Sequence, residues 1–171
     1  IIIGGYIILD GFDLGVGMLS PFIAKDDRDH RLVLNSIGPI WDGNEVWLVL
    51  GGGALFAAFP IVYASLFSGF YPAMMLVLLV LILRTVAIEF RSKRSTERWR
   101  RAWDWFFFGS SLGITLLLGV ALGNIIRGVD LRANAEIHMN LVDLLNPYSL
   151  MVGVTAVVML CLHGCIFLTQ K

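Results

Sequence analysis

The chain has 171 residues, of which 57% are hydrophobic, and its mean hydropathy is +0.79, which is the composition of a membrane protein rather than of an ordinary soluble domain. Thirteen basic residues balance thirteen acidic ones and no basic tail is present, so the charge gives no indication of a nucleic-acid partner. The sequence starts without Met inside an apolar run. We therefore expect a single transmembrane domain over residues 1–171, as a fragment of a longer subunit.

The apolar segments predict an all-α, polytopic membrane bundle of about five helices, because a span needs about 20 mostly apolar residues. Residues 46–83 carry no charge and are too long for one span. Ser68, Gly69 and Pro72 supply a turn that divides this run into a tight hairpin. The predicted spans are residues 1–23, 45–67, 70–90, 103–126 and 148–169.

Lys and Arg concentrate in residues 24–44 and 91–102, which predicts that these two loops face the cytoplasm. The turn after the second span has no charge and the loop after the fourth has only Arg127 and Arg132. Those two connections, with the N-terminal end of the first helix, are expected outside. Five tryptophans then fall at cytoplasmic ends of spans, as in an interfacial belt: Trp41, Trp47, Trp99, Trp103 and Trp105.

Small residues four positions apart predict close helix packing, since lipid provides no hydrophobic drive for association. The four pairs are Gly11 with Gly15, Gly53 with Ala57, Gly109 with Gly113, and Gly119 with Gly123.

Two carboxylates lie inside the first predicted span. Asp13 is about 14 Å and Asp10 about 18 Å from the cytoplasmic end of that span, at 1.5 Å per residue. Their spacing of three places them on one helix face, and like charges so close disfavour double ionisation. Carboxylates inside a membrane face the bundle interior and mark routes for protons or ions. At least one is expected to hold a proton and to relay it.

The stretch "WDGNEVWL" places Asp42 and Glu45 at the mouth of the second predicted span. There they can collect protons from the cytoplasm and face the positive end of the helix. A structural alternative is that Asp42 caps the helix and Glu45 completes a capping box. The two roles are compatible.

Arg84 lies about 10 Å inside the third span and needs a counter-ion. Glu89 is five residues on and therefore not on the same helix face, which makes Asp13 or Asp42 the expected partner. The alternative is that Arg84 extends to the cytoplasmic surface.

"CLHGC" near the end of the chain does not predict a metal site. Cys161 and Cys165 share a helix face from which His163 points away, and the cysteines are expected to be buried thiols. His30 and His138 fall in loops, so His163 is the only histidine within a span. Haem ligation by His163 with Met18 is a remote alternative to a hydrogen-bonded His163 near the proton route.

Six segments together resemble subunit II of cytochrome bd quinol oxidase. They are "LDGFDLGVGMLSPF", "NSIGPIWDGNEVWLVLGGGALFAAFPIVYASLFSGFY", "LRTVAIEFRSK", "RWRRAWDW", "GVALGN" and "LLNPYSLMVGV", and the match extends over essentially the whole chain. The family subunit is about twice this length and has eight spans.

The resemblance implies a heterodimer in the bacterial cytoplasmic (inner) membrane that takes part in aerobic respiratory electron transport and oxidative phosphorylation. Subunit I of the family holds haem b and haem d, oxidises quinol and reduces oxygen to water, whereas subunit II normally carries no haem. Subunit II stabilises subunit I and supplies a cytoplasmic proton route. Some members hold a structural quinone in subunit II or have a small accessory subunit.

The resemblance also carries over to single residues. Asp10, Asp13 and Asp42 match acidic positions of the family's proton route, and Arg84 with Glu89 matches a further charged pair. Two rival functions need the same buried charges. A proton-coupled transporter would have a helix broken at midplane, for which Gly51 to Gly53 is the only candidate, and a purely structural partner would use them as ion pairs.

Overall fold

The computed structural model describes residues 1–128 and 141–171, and within that part of the chain the fold is all-helical. Arg132 and His138, both assigned to loops above, lie outside the described residues. The helices are α1 (Ile2–Ile23), α2 (Asp27–Ile37), α3 (Trp41–Ala58), α4 (Pro60–Gly69), α5 (Tyr71–Phe90), α6 (Glu97–Arg127), α7 (Leu141–Leu144) and α8 (Pro147–Thr169), with a 3₁₀ turn at Arg91–Lys93.

Four of these helices are long and apolar enough to cross a membrane: α1, α5 with its 3₁₀ turn, α6 and α8. The predicted second span is not one continuous helix, because the chain breaks between α3 and α4 at Phe59. Pro60 has no N–H to continue α3, and it excludes the preceding residue from helical geometry; Phe59 has φ −139° and ψ 64°. The candidate break at Gly51 to Gly53, which the transporter alternative required, does not occur, since these glycines lie within α3.

α1 runs through the middle of the bundle. It packs against α3, α6 and α8, and its residues from Asp10 to Met18 are nearly all buried. α6 packs against α5 and α8 on its other sides. The polar positions of α1 are consequently enclosed by protein.

The small residues of α1 and α6 allow α8 to approach closely. A Cβ on Gly15 would collide with the backbone of Leu160 and Gly164, and one on Gly123 would come within 2.7 Å of Ser149 Cα. The predicted contacts of these two pairs are confirmed. A Cβ on Gly53, in contrast, would meet no atom of another described element within 4 Å.

These glycines give a stability prediction. We expect Gly15→Ala to destabilise the assembled protein by about 1–3 kcal/mol, because the added methyl meets backbone that cannot move aside. The matched variant Gly53→Ala meets nothing and should be neutral or slightly stabilising, since Ala favours helix over Gly. Thermal unfolding of both variants in detergent tests the difference, and equal midpoints would contradict the packing described.

α2 lies within a segment predicted to be a loop. Asp26 caps it by accepting a hydrogen bond from Asp29 N at 2.9 Å. Val33 and Ile37 are buried in a cluster with core residues of α1, α5 and α6. α2 thus turns back along the bundle. As a result, α3 begins beside the buried part of α1 rather than beside the end of α1.

An ionic cluster fastens α2 to the ends of α5 and α6. Arg91, which is almost fully buried, binds Asp104 on α6 and Asp27 on α2, the latter at 3.0 Å. Arg100 adds a contact of 2.8 Å to Asp27, and His30 Nδ1 lies 3.7 Å from Asp104. The two loops predicted to be cytoplasmic are therefore on the same end of the bundle.

This cluster predicts acid sensitivity. Burial by itself raises the pKa of Asp27, but the hydrogen bond from Arg91 and the charges of Arg91, Arg100 and Arg31 outweigh it, so the pKa lies below its ordinary 3.8. The ionised form is favoured in the folded state. Its stabilisation is fully present above the ordinary pKa and is lost as pH falls below it.

We therefore expect the difference in unfolding midpoint between the parent protein and Asp27→Asn to be largest near neutral pH. The difference should shrink as pH falls below about 4, because the unfolded chain then binds a proton at Asp27 while the folded state still favours the ionised form. A thermal unfolding series over pH measures it. A difference that persists undiminished down to about pH 3 would show that charge at Asp27 is not what holds α2.

At the other end of the bundle, where α6 ends and α8 begins, amide and hydroxyl side chains form hydrogen bonds with the chain that connects these two helices. Asn124 Nδ2 donates to Leu144 O at 2.8 Å, and Ser149 Oγ donates to the same carbonyl at 2.6 Å. Asn146 caps α8 by accepting from Ser149 N at 3.0 Å. Polar groups thus satisfy the helix ends there.

Candidate functional site

A buried ion pair joins α1 to α5. Arg84 Nη2 donates to Asp10 Oδ1 at 2.7 Å and Nη1 donates to Oδ2 at 3.1 Å, and both side chains are fully buried. Such a two-pronged pair is among the strongest charge-assisted hydrogen bonds. Arg84 therefore does not extend to the surface. The prediction that Asp13 or Asp42 is its counter-ion is wrong, because the counter-ion is Asp10.

The second carboxylate of α1 is held by α3. Asn44 Nδ2 donates to Asp13 Oδ2 at 2.8 Å, and Asp13 is fully buried. Its other oxygen, Oδ1, has no hydrogen-bond partner among the described residues. Asp10 and Asp13 thus have different neighbours, a cation for the first and a neutral amide for the second.

Glu45 lies between the buried pair and the surface. Its Oε2 is 3.7 Å from Arg84 Nη1, and its side chain is 19% exposed, so it faces both the cation and the outside. Tyr6, one helical turn before Asp10 on α1, is also buried, and its hydroxyl lies within the electrostatic reach of Asp10, Arg84 and Glu45. Glu45 is consequently the link from the surface to Arg84.

An open groove of about 220 Å³ leads to Glu45 from outside the bundle. Asp42, which is exposed, and Thr85, which is adjacent to Arg84, lie on its walls. The groove is completed by Trp41, Val46 and Val49. Polar groups therefore occur in sequence from the exposed Asp42 through Glu45 and Arg84 to Asp10.

The charges of this cluster do not balance if every group is ionised. Asp10, Asp13 and Glu45 contribute three carboxyls, against the single guanidinium of Arg84. Uncompensated charge is costly in a buried site, and carboxyls that share one cation cannot all stay ionised. At least one carboxyl of the cluster is expected to hold a proton, and Asp13, which has no cation bonded to it, is the best candidate.

Two expectations about the neighbouring acids are not met. Ile40, not Asp42, is the N-cap residue of α3, and no side chain caps this helix. Glu89 is exposed and forms no ion pair with any described residue. Trp47 also departs from the predicted belt, because its ring lies against Gly5 near the start of α1.

Asn44, Tyr6 and Thr85 belong to the site but were not singled out from the sequence. Asn44 stands between two residues that were, and an amide beside two carboxylates was the available signal. Tyr6 is four residues before Asp10 and so on the same face of α1. Thr85 carried no signal, since its position depends on how α5 is rotated against α3.

His163 is hydrogen-bonded within the bundle, as expected from the sequence. Its Nε2 lies 3.0 Å from Ile8 O, and because a carbonyl only accepts, that nitrogen carries a proton and is not free to bind iron. Cys161 and Cys165 are free thiols; the first is half-buried and the second is exposed. The expectation that both are buried is therefore not met. No group of three or more potential metal ligands is found in residues 1–128 and 141–171.

A family model described as cytochrome bd terminal oxidase subunit II matches residues 1–171. The chain belongs to this family. The resemblance seen in the sequence motifs is thereby confirmed. With four described helices able to cross a membrane, this family member is a multi-pass inner-membrane protein.

The chain is similar over nearly all of its length to subunits 2 of such oxidases. It is 46% identical over 171 residues to cytochrome bd-I ubiquinol oxidase subunit 2 of Escherichia coli strain K12, covering 98% of this chain and 45% of the relative. It is 44% identical to the probable cytochrome oxidase subunit 2 of Haemophilus influenzae strain Rd, with the same coverage. The cytochrome bd ubiquinol oxidase subunit 2 of Bacillus subtilis strain 168 is 43% identical over 167 residues, covering 98% and 49%. The chain spans about half the length of the curated relatives it matches.

Proposed function

We propose that this subunit supports a haem-bearing partner, subunit I of a cytochrome bd-type quinol oxidase, and brings protons to it from the cytoplasm. The observation that carries the proposal is the polar series from the exposed Asp42 through Glu45 to the buried Asp10 and Asp13. Reduction of oxygen to water consumes protons, and carboxyls enclosed by membrane helices are suited to pass them on. Haem b, haem d and quinol oxidation belong to the partner in this proposal.

Each residue has a chemical task in this route. Asp42, in the first turn of α3, takes protons from water at the groove. Glu45 exchanges protons with the groove, which it lines, and lies 3.7 Å from Arg84 on its other side. Asn44 holds one oxygen of Asp13 and leaves the other free to gain or lose a proton. Arg84 holds the carboxyl of Asp10 in place through two hydrogen bonds.

The proposed orientation rests on the distribution of basic residues. The groove lies at the start of α3, directly after α2, whose ionic cluster includes the basic residues of both loops predicted to be cytoplasmic. With electrons delivered from quinol on the other side, turnover separates charge across the membrane without a pump. Glu89, which matches the family's acidic position, is exposed near the C-terminal end of α5, beside the ionic cluster. We assign it to proton collection rather than to pairing with Arg84.

A transporter is a poorer explanation. The break between α3 and α4 lies in the charge-free run, and Phe59, Pro60 and Ile61 are exposed apolar residues. A substrate site at a broken helix would need polar groups there. A purely structural role agrees with the fully bonded Asp10–Arg84 pair but does not account for Asp13 or for the groove beside Glu45.

Asp42→Asn tests the proposal, because Asp42 is exposed and its loss should cost less than about 1 kcal/mol of stability. We expect several-fold slower oxygen consumption by the intact complex, with haem content unchanged. Asp26→Asn, an exposed aspartate outside the groove, is the control and should retain full turnover. Loss of haem in Asp42→Asn would favour the structural role, and unchanged turnover would remove Asp42 from the route.

A further inference from the structure

Four cations between the end of α5 and the second turn of α6 are exposed and have no acidic partner among the described residues. The ion pairs at this end of the bundle use Arg31, Arg91 and Arg100 instead. Within residues 93–101 the only acidic side chain is Glu97, and apart from Arg100, which binds Asp27, four positive charges face this one negative charge. The four cations, called here the basic surface, are Lys93, Arg94, Arg98 and Arg101.

The adjacent connection between α1 and α2 does not share this excess. Its exposed cations, Lys25 and Arg28, stand beside the carboxylates of Asp26 and Asp29, which balance them. Both connections lie at the same end of the bundle, since Asp27 binds Arg91 and Arg100. The unbalanced positive charge is therefore confined to the basic surface.

Aromatic rings flank the basic surface and fix its depth. The Arg94 guanidinium lies 4.8 Å from the centre of the Trp99 ring, whose Nε1 donates to Phe90 O at 2.9 Å. Phe90 is 45% exposed and Trp105 is 57% exposed. Exposed rings of this kind at the ends of membrane spans lie at the level of the lipid headgroups.

We propose that the basic surface binds the phosphate headgroups of anionic phospholipids. Its four cations lie where two apolar helices able to cross a membrane, α5 and α6, are joined. This position places the cations beside the lipid phosphates. Because Glu97 is the only carboxylate among them, most of their positive charge is left to interact with an anionic lipid surface. Arg94 and Trp99 hold the connection in place, so part of the ordering cost is met before lipid binds.

The intact complex in bilayers of phosphatidylglycerol and phosphatidylcholine provides the test. The association of spin-labelled phosphatidylglycerol, relative to spin-labelled phosphatidylcholine, is measured by electron spin resonance. We expect a preference for phosphatidylglycerol that falls by roughly fivefold for each charge removed in Arg98→Gln, in the double variant with Arg101→Gln, and in the variant with all four cations replaced by Gln. Glu97→Gln should raise the preference.

The matched control is Lys25→Gln with Arg28→Gln, which removes two exposed cations from the balanced connection and should lower the preference much less than the Arg98 and Arg101 double variant does. Raising the salt concentration should weaken the preference of the parent complex. The proposal is overturned by a parent complex without preference, by an unchanged preference in the Arg98 and Arg101 double variant, or by an equal loss in the control. The double variant decides the matter should the fourfold variant not assemble.

Discussion

Replacing Arg84 by methionine is expected to destabilise the assembled subunit by about 3–5 kcal/mol. The change leaves the fully buried carboxylate of Asp10 without its cation and without both of its hydrogen bonds. It also removes the positive charge that Glu45 faces at 3.7 Å. A large fall in the thermal unfolding midpoint, or failure of the complex to assemble, is the measured result.

The control is the double variant in which Arg84→Met is combined with Asp10→Leu. Replacing both members of a buried ion pair by apolar residues is often neutral or stabilising, so stability should largely return. Under the proposed function, turnover should stay low, because Asp10 is then missing from the route. A double variant that recovers both stability and turnover would make the pair purely structural.

Replacing Asp13 by asparagine is expected to lower oxygen consumption by at least about tenfold while haem content and stability remain near those of the parent. The new side chain has the same shape and can still accept the hydrogen bond that Asn44 donates at 2.8 Å. What is lost is the group that gains and releases a proton, and positioned proton-transfer groups contribute about 10²–10⁴-fold to the reactions they serve.

Asp29→Asn is the matched control, since Asp29 accepts a backbone hydrogen bond from Lys25 outside the cluster and should be replaceable without loss of turnover. Asn44→Leu gives an independent check. It keeps the Asp13 carboxyl but removes its donor, so turnover should fall less than in Asp13→Asn and its dependence on pH should shift. Parent-like turnover in Asp13→Asn would exclude Asp13 from the route.

The sequence indicated the class of fold and the identity of the buried charges because both depend on local properties. An apolar run of membrane length is recognisable from composition, and a carboxylate within it has to face protein. Asp10, Asp13 and Arg84 are accordingly buried. The close packing at Gly15 and Gly123 followed from the same kind of spacing rule.

The pairing of these charges depended on features that no local pattern contains. Arg84 bonds to Asp10 rather than to Asp13 or Asp42 because α2 turns back along the bundle, which brings Asn44 level with Asp13 and Glu45 level with Arg84. The relative height and rotation of α1, α3 and α5 set these contacts. The Asp26 cap and the spacing of Val33 and Ile37 are the local signals of α2. Recognising this helix would have corrected the predicted height of α3 relative to α1.

The two charged clusters of the subunit differ in a way that separates their roles. At the helix ends, Arg91 binds both Asp27 and Asp104, and Arg100 adds a further cation, so charges are matched and the cluster holds elements together. Around Arg84, carboxyls outnumber cations and the cluster adjoins a groove. An excess of carboxyls next to an open groove is suited to exchange protons rather than only to hold helices.

The most direct test of the account is whether Asp13 exchanges its proton with water through the groove. Infrared difference spectroscopy of the complex should show a carbonyl stretch of a protonated carboxyl that is absent in Asp13→Asn. Transfer into D₂O should shift this band rapidly, and the shift should be slow in Thr85→Phe, whose ring would fill the groove between Asp42 and Glu45. A band that does not shift in the parent complex, or that shifts equally fast with the groove blocked, would contradict a proton route through these residues.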